Sequence, residues 1–290
     1  MTAIPLDQRV LDATTGAMEV FGLYLGDRLG LYAALRGQPG TTPAELAATA
    51  GIAPRYAREW LEQQAVAGVL TVADAAAGPE QRRYALPDEH VGVVAEPTAL
   101  DHVVPLARVV GIATALDDVV AAYRTGTGVP FARYGANLRA GQGAVNRPAF
   151  TSALVEEWLP ATGAAAERLA GGGRLADLGC GQGWSTIAVA RAHPTADVWG
   201  LDSDEASIAD ARSAAAEAGV RVRFDGADAT RLATAGPFDV VLLLEVLHDL
   251  ARPGETLAAA RAALAPGGAV LVADEAVAPS FTAPGGALAG

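Results

Sequence analysis

The sequence predicts an α/β protein with a doubly wound parallel sheet in its second half, preceded by a helical part that contains a winged helix. Three observations predict it. From residue 171 onward, short apolar runs alternate with helix-periodic segments, the pattern of successive β-α units. The first apolar run ends in Asp177-Leu178-Gly179-Cys180-Gly181-Gln182-Gly183, a glycine turn that opens a helix. Residues 41–87 show two helix patterns with start and stop signals, then two short strand patterns around a loose loop.

Taken in order, residues 8–36 are expected to form one helix. Leu11, Met18, Leu25 and Tyr32 recur every seven residues, with Thr14, Phe21 and Leu29 close to the same face, so the stripe needs a partner in this chain or a second one. Thr42-Pro43-Ala44-Glu45 has the form of a capping box with proline at the first helical position, and Gly51 stops that helix. Pro54 opens the next, with Ala57, Trp60, Leu61, Gln64 and Ala65 on one face. Residues 69–72 and 82–86 are the expected strands of the wing.

A winged helix raises the question of DNA. Residues 1–95 carry seven arginines against eleven carboxylates. Duplex binding draws most of its affinity from cations on phosphates, so the expected role is dimerisation. Residues 96–170 are expected to be mostly helical, a connector and substrate lid. Within them Arg133-Tyr134-Gly135-Ala136-Asn137, Gly141-Gln142-Gly143 and Asn146-Arg147-Pro148 suggest either a binding loop or a plain connecting loop with capping side chains. The sheet strands are expected at 174–177, 197–201, 221–225, 238–244 and 269–273, in the order 3-2-1-4-5, with the last helix ending at 265–268. In such sheets ligands lie outside the C-terminal strand ends, at the point where strand order reverses.

Composition narrows the class. The 290 residues carry a net charge of −12, and all 21 basic residues are arginine, as in a high-GC bacterial genome. An acidic surface disfavours polyanionic partners. Cys180 is the single cysteine, which removes a disulfide framework or thiolate zinc cluster, and no metal is expected. Its place in the turn suits packing, with a nucleophile as the alternative. The N-terminus lacks the basic and apolar regions of a signal peptide, and the longest apolar run, 240–244, is too short for a membrane span. A cytoplasmic protein with no membrane partner is expected.

The glycine turn carries the chemistry. Glycines allow positive φ and close backbone approach to a ligand, and the helix behind them offers free N–H groups and a positive dipole end. The dinucleotide fingerprint would need its third glycine at position 184, which is Trp184; Gly183 comes one residue early. An acidic residue followed by three alternating glycines resembles class I S-adenosylmethionine-dependent methyltransferases. With its winged-helix N-terminal part, the chain is similar to small-molecule O-methyltransferases of Rossmann-like fold.

The resemblance implies a set of roles. Asp177, Gly179, Gly181 and Gly183 line the cofactor. Asp202, 19 residues beyond Gly183, accepts the ribose hydroxyls; a helix N-cap is its alternative. Asp228 and the backbone of Ala229 read the adenine, with a turn aspartate as the alternative. Glu245 joins the cofactor contacts. Leu247-His248-Asp249 is similar to a Leu-His-Asp-Trp element whose histidine takes the acceptor's proton, although Leu250 replaces the tryptophan; capping of the next helix is the alternative. Asp274 would orient that histidine, with Glu275 beside it.

The reading is thus methyl transfer from S-adenosylmethionine to a small-molecule acceptor at oxygen, by a homodimer with no nucleic-acid partner. The alternative is a non-catalytic winged-helix regulator that binds the cofactor or a metabolite. The family's sheet has seven strands, and with residues 283–290 closing the sequence the last two are not expected here, whether because this is a fragment, a truncated homologue, or a chain in which another element covers the edge. The fifth strand is therefore expected at an open edge, its tail poorly ordered, and the chain less stable and less active than one carrying both strands.

Overall fold

The structure is a computed structural model that describes residues 4–96, 106–276 and 280. The chain divides into two compact units, residues 1–148 and 149–290.

In the first unit, α1 (Leu6–Arg28), α2 (Leu31–Leu35), α3 (Pro43–Ala50) and α4 (Pro54–Val66) lead to β1 (Thr71–Val72), β2 (Tyr84–Ala85) and α5 (Asp88–Ala95). The single helix expected over 8–36 is in fact two. Gly30 takes φ +66° between α1 and α2, and Tyr32 leaves the α1 stripe to become core. Leu11, Met18 and Leu25 stay exposed. The capping box forms with both arms: Thr42 accepts from the Glu45 N–H, and Glu45 accepts from the Thr42 N–H. Gly51 ends α3 in the left-handed region, as its position predicted. The core of this part gathers Leu31, Leu35, Leu46, Leu61 and Tyr84 around Tyr32 and Trp60, whose rings meet edge to face at 5.1 Å. The wing strands are antiparallel and only two residues each.

Next come α6 (Leu106–Thr114), α7 (Leu116–Thr125) and α8 (Gly135–Thr151). The loop expected at 133–148 is a correction: a short 3-10 turn over Phe131–Tyr134 leads directly into α8. Gly135, at φ +74°, separates that turn from α8, whereas Gly141 acts as a contact point between helices, not as a breaker. A Cβ on Gly141 would lie 2.2 Å from the Arg108 backbone nitrogen, and one on Gly111 would lie 2.5 Å from that of Leu138. The two helices meet backbone to backbone, which only glycine permits.

The second unit continues with α9 (Ala164–Ala170), β3 (Arg174–Leu178), α10 (Trp184–Ala192), β4 (Asp197–Asp202), α11 (Glu205–Ala218), β5 (Arg223–Gly226), β6 (Phe238–Leu244), α12 (Pro253–Ala262) and β7 (Leu264–Ala273). The sheet order is β5-β4-β3-β6-β7 with every pairing parallel, which matches the expected topology. Strand boundaries shift by a few residues. The last differs most: α12 ends at Ala262, and the Pro-Gly-Gly stretch expected to close it lies inside β7. There the register jumps from Phe238↔Leu264 to Val240↔Ala269. β3 and β6 are inner strands and are buried on both faces apart from half-buried Arg174 and Asp239 near their starts. Among the described residues β7 is an edge strand, and Val272 is exposed on it. The tail expected to be poorly ordered lies outside the described residues, apart from Ser280.

The α6–α8 seam yields a prediction opposite to helix propensity. Alanine for glycine inside a helix ordinarily stabilises by about 1 kcal/mol. Gly141→Ala should instead destabilise by about 1–3 kcal/mol, because the backbones must part. A raised melting temperature in a thermal denaturation scan would refute the close packing.

Candidate active site

The turn after β3 is built by hydrogen bonds to the neighbouring strand end. Gly179 and Cys180 both donate their backbone N–H to the Leu201 carbonyl, at 2.8 and 3.1 Å. The Gly181 N–H donates to Asp202 Oδ2 at 2.8 Å. Gly179, Gly181 and Gly183 all take positive φ, from 51° to 78°. Two of the three also need the missing side chain: a Cβ on Gly179 would strike Val246, and one on Gly183 would strike Phe224. Gly181 is different, since a Cβ there would meet nothing within 4 Å. It borders open space at the C-terminal edge of the sheet.

Asp177 lies under this turn, fully buried. Its Oδ2 accepts from Ser185 Oγ at 2.6 Å and Thr186 Oγ1 at 2.7 Å, tying the first turn of α10 to β3. Burial pushes its carboxyl up to about 6 despite both hydrogen bonds, and the charge of Asp202 adds to the rise. Ser185 and Thr186 escaped the sequence reading. Their signal was a polar pair inside an otherwise apolar helix start. The Cys180 thiol is buried and held well above its ordinary pKa by burial, then by Asp177 and Asp202. That environment suits packing and opposes a thiolate nucleophile.

Asp202 ends β4. The N-cap role open to it from sequence belongs to Asp204, which accepts from the Ser207 N–H at 3.1 Å. Asp202 accepts instead from Gly181 and, through Oδ1, from the Asp204 N–H at 2.8 Å. A carboxylate has about four lone-pair sites, so acceptor capacity remains. Burial raises its pKa, against those backbone donors. Asp228 is exposed and precedes a 3-10 turn that begins at Ala229.

The third group follows β6 and β7. Glu245 takes φ +53° and donates its N–H to the Ala273 carbonyl at 2.8 Å. His248 sits in a 3-10 turn over Leu247–Asp249, and its Nδ1 hydrogen-bonds Asp274 Oδ1. The capping alternative fails: α12 starts at Pro253 behind Arg252, with no side-chain cap. Glu275 donates its N–H to Asp274 Oδ1 at 3.0 Å. Partial desolvation pulls the His248 pKa down, but the Asp274 hydrogen bond and the charges of Asp249, Asp274 and Glu245 outweigh it and leave it raised. Desolvation pushes Asp274 up, yet His248 and the Glu275 N–H hold it below its ordinary value. Val246 packs on Gly179, so this segment and the glycine turn share one wall.

Comparison with known proteins defines the class. Residues 175–268 match the family model of a methyltransferase domain, and residues 17–96 match that of an Rv2258c-like winged HTH domain. The second unit therefore carries a methyltransferase domain, and the first a winged helix-turn-helix. A ubiquinone biosynthesis O-methyltransferase of Caulobacter sp. (strain K31) is 43% identical over 102 residues, which is 34% of this chain and 40% of that protein. The chain thus matches about two fifths of the length of such curated relatives. Among solved structures, mitomycin 7-O-methyltransferase MmcR superimposes with a TM-score of 0.65 at 19% identity, covering 96% of this chain and 82% of that one. Human N-acetylserotonin methyltransferase, solved with SAM, gives 0.58 at 20% identity, covering 94% and 81%. At those identities the likeness is one of fold. Among the described residues no helix is long and apolar enough to cross a membrane.

The buried Asp177 carries a pH signature. Its folded pKa of about 6 lies above the ordinary 3.8. Its contribution to stability is therefore full below pH ~4, is lost as pH rises toward 6, and stays lost at neutral pH. Asp177→Asn keeps an acceptor for Ser185 and Thr186 without the buried charge. It should be more stable than wild type at pH 7 by up to about 3 kcal/mol, with the gain gone near pH 4. Urea denaturation at a series of pH values checks this; a less stable variant at pH 7 would contradict it.

Proposed function

We propose that this chain transfers a methyl group from S-adenosylmethionine to an oxygen of a small molecule, with His248 as general base. The observation that carries the reading is the His248–Asp274 pair, set at adjacent strand ends behind the glycine turn. The residues suit the cofactor. Open space above Gly181 admits a ligand against the backbone, and Asp202 has acceptor capacity for ribose hydroxyls. The acids of this edge also suit a cationic sulfonium and amine. Asp177, Gly179, Gly181, Gly183, Asp202, Asp228, Ala229 and Glu245 are the proposed cofactor residues.

When bound, S-adenosylmethionine supplies an activated methyl and a neutral thioether leaving group. The rest falls to the protein. A phenol with pKa near 10 keeps its proton at neutral pH, so its oxygen needs a base. Asp274 accepts the Nδ1 proton of His248, which leaves the lone pair on Nε2. Nε2 then takes the hydroxyl proton, and the resulting imidazolium lies near Asp274 and Asp249, whose Oδ2 is 3.7 Å from Nε2. This is the base-and-orienter arrangement known from other acid–base sites. The non-catalytic alternative gains nothing here, since cofactor binding alone has no need of a His–Asp pair.

The acidic winged helix is proposed as a dimerisation element. The arginines of α4 and the wing face carboxylates: Arg55 pairs with Glu59 at 2.7 Å, Arg58 with Glu80 at 2.7 Å, and Arg82 with Glu62 at 2.8 Å. They offer little to a phosphate backbone. The exposed stripe Leu11, Met18 and Leu25 of α1 is where a second copy would bind. Residues 96–170 are the proposed acceptor lid, and the protein is proposed to be cytoplasmic.

Three outcomes are expected. Calorimetry should show S-adenosylhomocysteine binding that Asp202→Ala weakens by about 1–3 kcal/mol; no heat at millimolar ligand, or tighter NAD binding, would overturn the cofactor assignment. His248→Ala should slow methyl transfer about 10²–10⁴-fold with cofactor affinity unchanged, and wild-type turnover would remove the base. Light scattering should give a dimer mass, and a gel shift with duplex DNA at physiological salt should stay blank. A monomer, or a salt-sensitive shift at sub-micromolar protein, would count against the winged-helix role.

A further inference from the structure

Glu245, His248 and Asp274 do more than pair an imidazole with one acid. Each offers one ligand atom, and the three atoms lie within 4.8 Å of one another. We propose that these three side chains form a binding site for a divalent transition-metal ion, and that the ion competes with the acceptor's proton for His248. The competition rests on the base role proposed above; the metal site does not.

The backbone fixes the donors before any ion arrives. Glu245 is the first residue after β6 and Asp274 the first after β7, and the Glu245 N–H to the Ala273 carbonyl binds those strand ends together. His248 is held three residues on by a tight 3-10 turn. The donor set of one imidazole nitrogen and two carboxylate oxygens suits Zn²⁺, Co²⁺ or Mn²⁺ and needs no thiolate. The expectation of no metal rested on the lone cysteine and does not reach this site. His248 and Asp274 are exposed and Glu245 half-buried, so an ion can enter from solvent with coordination positions left for water. Asp249 and Glu275 flank the group and deepen the negative potential.

Occupancy has a definite consequence for the imidazole. A metal on Nε2 takes the base's lone pair directly, and a metal on Nδ1 replaces the hydrogen bond to Asp274. The one remaining proton of the neutral ring must then sit on Nε2. That nitrogen has no lone pair left for an acceptor hydroxyl, so the ion acts as an inhibitor.

The test uses the full chain, freed of metal with EDTA and titrated with Co²⁺ while its visible absorption is followed. Wild type should bind a single equivalent. His248→Gln and Asp274→Asn should each weaken binding at least about tenfold, while Glu255→Gln, an exposed acid on α12, leaves it unchanged. Equal binding in wild type and both site variants, an equal loss in Glu255→Gln, or no Co²⁺ spectrum at all would overturn the site. In the methyl-transfer assay Zn²⁺ should inhibit and EDTA should restore activity. Stimulation by the metal, or loss of activity in EDTA, would overturn the competition. If no acceptor is ever methylated the base reading fails, and the Co²⁺ titration still decides the site.

Discussion

The hydrogen bonds from residues 179–181 to the end of β4 are the constraint on which the rest of the sheet edge depends. Two backbone N–H groups converge on one carbonyl, that of Leu201, and a third meets the Asp202 carboxylate. The chain must turn sharply to make all three, and glycine is the residue that can do so at positive φ. Once the turn is drawn toward β4, α10 starts where Ser185 and Thr186 reach Asp177. Val246 then closes on Gly179, which sets the segment that bears His248. One local tie thus positions elements that are about 20 to 70 residues apart in sequence.

The same edge concentrates negative charge, and the structure handles each acid differently. Asp177 is buried and accepts two hydroxyls, so its charge is costly and its pKa rises. Asp202 is buried less completely and is held by backbone donors. Asp274 is stabilised as an anion by His248 and a backbone N–H. The gradient runs from a group whose ionised form burial penalises, under the turn, to one whose ionised form is stabilised, at the outer strand. A cationic ligand seated between them would relieve the repulsion, which gives the buried acid a reason to persist despite its cost to stability.

Much of this was legible in the sequence, for identifiable reasons. The capping box, Gly51 and the glycine turn are local devices whose residue types determine their geometry. The inner strands β4 and β6 showed as apolar runs because burial on both faces favours them. Asp202 and His248 could be picked out because they follow strands where ligands collect. Other features depend on contacts that sequence spacing does not carry. Gly141 looked like a breaker of a loop, yet it is a helix contact whose partner, Arg108, lies 33 residues away. The break at Gly30 lies within an unbroken apolar period. Ser185 and Thr186 make sense only once Asp177 is known to be buried beneath them. The positive φ of Glu245 has no local signal in the sequence.

Gly181 offers the most direct test of the claim that the glycine turn holds a cofactor against bare backbone. Its absent side chain faces open space, so among the described residues no contact requires glycine there beyond its φ of 51°. Calorimetry with S-adenosylhomocysteine on wild type and Gly181→Ala, each checked for native fold by circular dichroism, isolates that space. The account predicts a folded variant whose affinity falls at least about tenfold, because the new methyl fills the ligand's place. A folded Gly181→Ala protein that binds as tightly as wild type would contradict it.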